Sequence, residues 1–214
     1  MPMRKIILAS ISNILMIGLP LLGKPALILN GKILFIIAGS ICIWLTQPAV
    51  TVKETSDKKS SDHFSVVLIL LMSLVSVVVP VVDWAYFTTR QNSFGFFTLL
   101  GVLMIIIGIS FRAWAVNSLG KYFTATVQIK DGHRLVKTGP YRIVRHPSYT
   151  GAFLAIIAGG VILESLTGFI ISCIAMIIAY YVRISIEEKE LLARFDNEYK
   201  AYKRDTKMII PYVL

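Results

Sequence analysis

Apolar residues run almost unbroken through four blocks, Ile6–Leu22, Leu27–Leu45, Phe64–Val82 and Phe94–Val116. Each is close to the ~20 residues that carry a helix across hydrocarbon, so the pattern predicts four spans. The link GKPA, Gly23 to Ala26, predicts an antiparallel helix hairpin for the first two. KETSDKKSSDH, Lys53 to His63, has too few apolar residues to pack and reads as a solvated linker. A fifth block, Tyr149 to Val182, would reach about 50 Å as one helix, beyond the ~30 Å hydrocarbon core. It is expected to fold back on itself, with Gly159-Gly160 and Glu164-Ser165 through Gly168 supplying the interruption. Arg183 to Arg204 then reads as an amphipathic helix. Leu191, Phe195, Tyr199 and Tyr202 form its inward stripe, and stepping back by fours adds Glu187 and Arg183. Glu190, Arg194 and Glu198 fall outside the stripe and read as a solvated face. The chain closes on Ile209-Ile210-Pro211, where the proline ends any helix and the apolar pair re-docks.

Composition narrows the class. With 56% hydrophobic residues and a mean hydropathy of +0.72, the 214 residues read as one all-α, polytopic membrane domain. Residues 1–116 hold four spans, and 117–214 hold a polar loop, a helical hairpin and the C-terminal helix. The first block, after Arg4 and Lys5, is expected to be a retained span, since no small-residue cleavage site follows it. The net charge of +10 flanks apolar runs instead of lining a groove, which points to positive-inside topology and away from nucleic acid. Placing Arg4, Lys5, Lys53, Lys58, Lys59, the central basic segment and the tail from Arg183 to Lys207 on the cytoplasmic side requires six crossings. Cys42 and Cys173 lie inside apolar runs, so no disulfide framework and no metal site is expected. There is no internal repeat of the kind many transporters carry.

Chemistry concentrates in KDGHRLVKTGPYRIVRHPSYTG, Lys130 to Gly151. It carries His133 and His146, while His63 sits in the linker and is given no role. His133 after Asp131-Gly132 also fits a plain turn, and His146 before Pro147 fits a helix start. Tyr141, Arg142, Arg145, His146, Tyr149 and Gly151 gather cations, an imidazole and phenols at a helix entrance, where backbone N–H groups favour anions. Interfacial anchoring to anionic lipid would explain the arginines but not HPSY or DGH. Arg183 and Glu187, one turn apart, fit either a surface pair of about 0.3–0.5 kcal/mol or a site built at membrane depth. Arg112, late in the fourth span, either lines that site or snorkels. Asp83 and Arg90 are assigned no role. No GxGxxG, P-loop, HExxH or nucleophile elbow is present.

In order, DGHRLVKTGPY (Asp131 to Tyr141), RHPSYTG (Arg145 to Gly151), a hairpin, RISIEEKELLARFDNEYKAY (Arg183 to Tyr202) and a late proline resemble the isoprenylcysteine carboxyl methyltransferase family of membrane enzymes. The resemblance covers about the last hundred residues. It implies S-adenosylmethionine bound by a cytoplasmic loop and the last hairpin, through Gln128, His133, Arg134, Leu135, Val136, Tyr141, His146, Pro147, Ser148, Tyr149 and Glu187. Arg183 takes the place of the substrate-side catalytic arginine. The implied reaction methylates the carboxylate of a prenylated cysteine or similar lipidic acid entering from the bilayer. The few spans resemble a prokaryotic member, in the cell membrane; a eukaryotic one would sit in the endoplasmic reticulum. RHPxY also resembles NADPH-dependent sterol-type reductases and phospholipid N-methyltransferases, and a lipid-binding scaffold is the non-enzyme alternative.

Overall fold

The structure is a computed structural model that describes residues 2–48, 60–89, 91, 93–124 and 134–209. Among the described residues six α-helices follow one another: α1 (Pro2–Asn13), α2 (Gly31–Leu45), α3 (Ser60–Val82), α4 (Phe96–Leu119), α5 (Pro147–Ile162) and α6 (Leu166–Asp205). The described residues contain no named strand, only a bridge between Val144 and Lys207. Most of the predicted linker, with Gln128 and His133 of the predicted site and Pro211 of the tail, lies outside the described residues. Ser60–His63 of that linker form the first turn of α3.

Segments 64–87, 96–122 and 166–205 are long and apolar enough to cross a membrane, and three shorter apolar helices, Lys5–Gly18, Gly31–Leu45 and Pro147–Ile162, accompany them. Leucines and isoleucines on α4 (Leu99, Leu103, Ile106, Ile107) and α6 (Ile170, Ile174, Ile177, Ile178) stay exposed, as an integral membrane protein facing lipid requires. The first two blocks are shorter as helices than the hydrophobic run suggests. α1 gives way to a wide π turn at Ile14–Gly18, and a 3-10 turn at Pro25–Leu29 precedes α2.

The predicted hairpin forms between α5 and α6, with its break confined to Leu163, Glu164 and Ser165. Gly159 and Gly160 continue α5, because Gly160 is needed for approach instead of for turning: a Cβ there would sit 2.7 Å from Phe169 Cα. Glu164 takes a positive φ of 56°, and Ser165 caps α6 by accepting from Gly168 N at 2.9 Å. Lys32 Nζ, fully buried, meets Glu164 Oε1 at 2.8 Å, and Ser165 Oγ donates to Asp83. The turn is thereby tied to both α2 and the end of α3.

Two further contacts set the depth of packing. Pro80 inside α3 has no N–H for the carbonyl of Ser76, and Ser172 of α6 supplies the missing donor, Oγ to O at 2.8 Å. α4 and α5 touch backbone to backbone through Gly101, Gly108 and Gly151, the small-residue packing that substitutes for hydrophobic drive in lipid.

The expected separate C-terminal helix is instead a direct continuation of the last span. α6 runs on past Val182 to Asp205 with a kink at Asp196, where φ is 35°. The kink breaks the regular stripe, so Tyr199 and Tyr202 are buried while Leu191 and Phe195 are only partly so. At Gly151 a Cβ would lie 2.6 Å from Arg112 N and would also meet Gly108 O. Gly151→Val is expected to destabilise the protein by about 1–3 kcal/mol through forced separation of α4 and α5, read as a lower melting temperature in detergent.

Candidate active site

The hairpin returns α6 to the end of α5 where the polar loop enters. Pro147 opens α5 at its first helical position, with His146 as the N-cap residue. Tyr141 sits in a 3-10 turn, Gly139–Arg142, whose Gly139 has φ of 61°. Tyr202 donates from its hydroxyl to the Tyr141 carbonyl at 2.6 Å, fastening that turn to the end of α6.

The C-terminal segment is threaded beside the loop. Arg145 N donates to Lys207 O at 2.8 Å, His146 N to Met208 O at 3.1 Å, and Thr150 Oγ1 to Ile209 O at 2.8 Å. Of the apolar pair expected to re-dock, Ile209 packs beside the buried Ala152, Met176, Tyr180 and Ile184 beneath the site, and Ile210 lies outside the described residues.

The charged groups interlock. Arg145 Nε donates to Glu188 Oε1 at 2.8 Å, and its Nη1 reaches the carbonyls of Thr206 and Lys203. Lys203 Nζ binds Glu188 Oε2 at 2.6 Å. His146 lies between two carboxylates, Nδ1 at 3.5 Å from Glu187 Oε2 and Nε2 at 3.4 Å from Glu188 Oε1. Burial alone would lower the imidazole's pKa; hydrogen bonding to Glu187 and then Glu188 outweighs it and raises the value above normal. Burial pulls Glu188 the other way, but its bonds from His146, Lys203 and Arg145 hold it below the usual carboxylate range. Tyr141 is pushed up by burial and by the Glu187 charge, so it remains a neutral phenol.

Between the loop, α6 and the segment after α4 lies a cleft of about 100 Å³, part of it open to solvent. Of the residues expected to hold a cofactor, Leu135, Val136, Tyr141, His146, Ser148, Tyr149 and Glu187 line it. Arg134 is exposed outside it, and Pro147 is buried behind it. Arg183 also stands outside the lining: it is buried, with Nε donating to Tyr149 OH at 3.3 Å and Nη1 to Ser65 Oγ at 2.9 Å. Arg112 neither lines the cleft nor snorkels. It is a buried strut, Nε to Thr46 Oγ1 at 2.8 Å and Nη1 to Ser148 O at 3.0 Å, over the Phe123 ring.

The profile of the isoprenylcysteine carboxyl methyltransferase family matches residues 100–193, the stretch that supplies α4, α5 and most of the cleft. Over that stretch the chain is similar to this family. Among its members, the yeast (Saccharomyces cerevisiae) protein-S-isoprenylcysteine O-methyltransferase is 36% identical over 118 residues, 54% of this chain and 49% of the relative. The Arabidopsis thaliana form B enzyme is 28% identical over 155 residues, 72% and 76%. A probable protein-S-isoprenylcysteine O-methyltransferase from Oryza sativa is 30% identical and matched over 65% of its length, so the chain spans about half of the yeast relative and just under two thirds of the rice one. In three dimensions the chain is similar to a solved eukaryotic intramembrane Ras methyltransferase, with a TM-score of 0.65 at 24% identity, over 96% of this chain and 74% of the other. That likeness establishes the fold, a polytopic bundle of helices.

Several cleft residues escape a reading by sequence. Leu119, Tyr122, Phe123 and Thr124 form one wall, and Glu190, expected on the solvated face, lines it too. Glu188 was within reach, because it is three residues before Leu191 and seven before Phe195, on the inward stripe when that stripe is drawn by threes as well as fours.

The His146 cluster carries a pH signature. An unfolded imidazole titrates near 6.5, roughly, whereas the folded one titrates higher, so the stabilisation it provides is complete below about pH 6.5 and is lost as pH rises through the folded value. Glu188 is ionised in both states over that window and contributes no slope. The melting temperature in detergent is expected to fall as pH rises above about 6.5, and His146→Gln is expected to flatten that fall. A flat wild-type profile would mean an uncharged imidazole.

Proposed function

We propose that this chain transfers a methyl group from S-adenosylmethionine to the carboxylate of a prenylated cysteine or a similar lipidic acid, at the cytoplasmic face of its membrane. The observation that carries the reading is the carboxylate of Glu187 inside the cleft: its Oε2 is buried and met by His146 Nδ1 only at a long 3.5 Å, with the aromatic and apolar walls of Tyr141, Tyr149, Leu135 and Val136 around it. A buried, under-satisfied carboxylate in such walls fits a cationic ligand with a flat aromatic part. Bound there, S-adenosylmethionine supplies a methyl group on a positively charged sulfur.

The residues then divide the work. Glu187 and the phenols of Tyr141 and Tyr149 hold the donor, and Ser148 and His146 close the helix end. Arg183, behind Tyr149 on the α3 side, receives the acid. A terminal carboxyl with a pKa of about 3.3–3.7 is already an anion at neutral pH, so the protein has only to orient it and exclude water. A buried guanidinium fixed by Tyr149 and Ser65 is suited to that, since its planar donors match a carboxylate. Methylation of an amine would require a proton acceptor. Among the described cleft residues Glu187 is a poor one, because His146 and Arg183, working against burial, hold its pKa below normal.

Calorimetry with S-adenosylmethionine and transfer of radiolabelled methyl to an N-acylated S-prenylcysteine test the reading. Glu187→Ala is expected to weaken donor binding by about tenfold or more. Arg183→Ala is expected to retain binding but slow transfer on the order of a hundredfold. A wild-type protein that does not bind S-adenosylmethionine would overturn the proposal.

A further inference from the structure

Glu188 touches neither the cleft nor solvent to any extent: it is absent from the cleft lining and its side chain is 9% exposed. A buried carboxylate is costly unless its lone pairs are used, and here three cations share it. Oε1 takes Arg145 Nε at 2.8 Å and stands 3.4 Å from His146 Nε2, while Oε2 takes Lys203 Nζ at 2.6 Å. Only one of these partners, His146, goes on to face a second carboxylate, and that carboxylate is the cleft's own Glu187.

We infer that Glu188 is a positioning residue for the donor site: by engaging His146 Nε2 it keeps the imidazole doubly protonated and turned so that Nδ1–H faces Glu187. A neutral histidine has one N–H for two carboxylates, and the ring would be free to flip toward either. With both nitrogens protonated, one edge is anchored on Glu188 and the other fixes which way the Glu187 carboxylate points into the cleft. This is the relay by which an outer carboxylate orients an inner ligand through a histidine in metal sites, used here on an ionic site. The groups around the imidazole are consistent with it. Arg145 and Lys203 offset the charge of Glu188 from the loop and the end of α6. On the cleft side lie the phenols of Tyr141, Tyr149, Tyr199 and Tyr202, and Arg183 reaches the Tyr149 hydroxyl.

The inference rests on the donor-site reading proposed above, and the test separates the two. Wild-type protein that fails to bind S-adenosylmethionine ends the reading itself. If wild type binds, Glu188→Gln, which preserves shape and removes charge, is expected to weaken binding by about tenfold. It is also expected to move the alkaline limb of the binding-against-pH curve down by about one pH unit, with Glu188→Asp restoring part of both. A folded Glu188→Gln protein with unchanged affinity and an unchanged limb would overturn the inference, since a purely structural loss lowers melting temperature without moving that limb. Imidazole 15N shifts of the wild-type protein, which has three histidines, give a reading that needs no variant. Two protonated nitrogens on His146 at pH 7 are expected, and a neutral tautomer there would equally defeat it.

Discussion

The chemistry of this molecule depends on a turn three residues long. If the chain from Pro147 continued straight, Glu187 would lie about 60 Å from His146 at ~1.5 Å per residue; in the folded protein the two side chains are 3.5 Å apart. The return is secured far from the site. Glu164 accepts an unfavourable left-handed backbone, and the buried Lys32 and the Asp83 carboxylate hold the turn from two other helices. The orphan carbonyl left by Pro80 then gives α6 a polar partner partway along. Those contacts set the register in which α6 descends, and register decides whether Glu187 or a neighbour reaches the cleft.

At the other end the governing constraint is charge. Arg145, Lys203, Glu187 and Glu188 crowd around one imidazole in a region from which water is mostly excluded. Such a cluster is stable only if every charge is answered, and the answering groups come from the loop, from α6 and from the segment after it. The same set of bonds therefore folds the C-terminal segment against the loop and charges the cleft. Removing one member leaves its partners buried and unpaired, which is why structure and function here share residues.

Much of this was legible in the sequence, for reasons of physics. Span length against bilayer thickness required the hairpin, and the polar composition of residues 130–151 located the loop. What was illegible depended on approach distances and on pairing. Gly159-Gly160 reads as a break because glycine is permissive, yet Gly160 serves contact with Phe169. Arg112 reads as a snorkelling or ligand-facing cation, yet it braces Ser148 and Thr46. Lys32, one residue into an apolar helix, gives no hint that its partner lies 132 residues away. The amphipathic stripe stepped by fours found Glu187 and passed over Glu188, and the kink at Asp196 could not be anticipated from spacing at all.

Tyr149 joins these strands of argument. Its ring lines the cleft that Glu187 faces, while its hydroxyl accepts from Arg183 on the side where α3 begins. It also packs against Tyr180, ring centroids 5.0 Å apart, over the apolar cluster of Met176 and Ile184. One side chain thus stands between the cleft and the buried Arg183 guanidinium and touches both. A polar donor and an amphipathic acid can approach from opposite solvents only if the wall between them is thin and correctly charged on each face. A phenol with a carboxylate on one side and an arginine on the other meets that condition, and the proposed transfer would then take place next to Tyr149 instead of deep in either compartment.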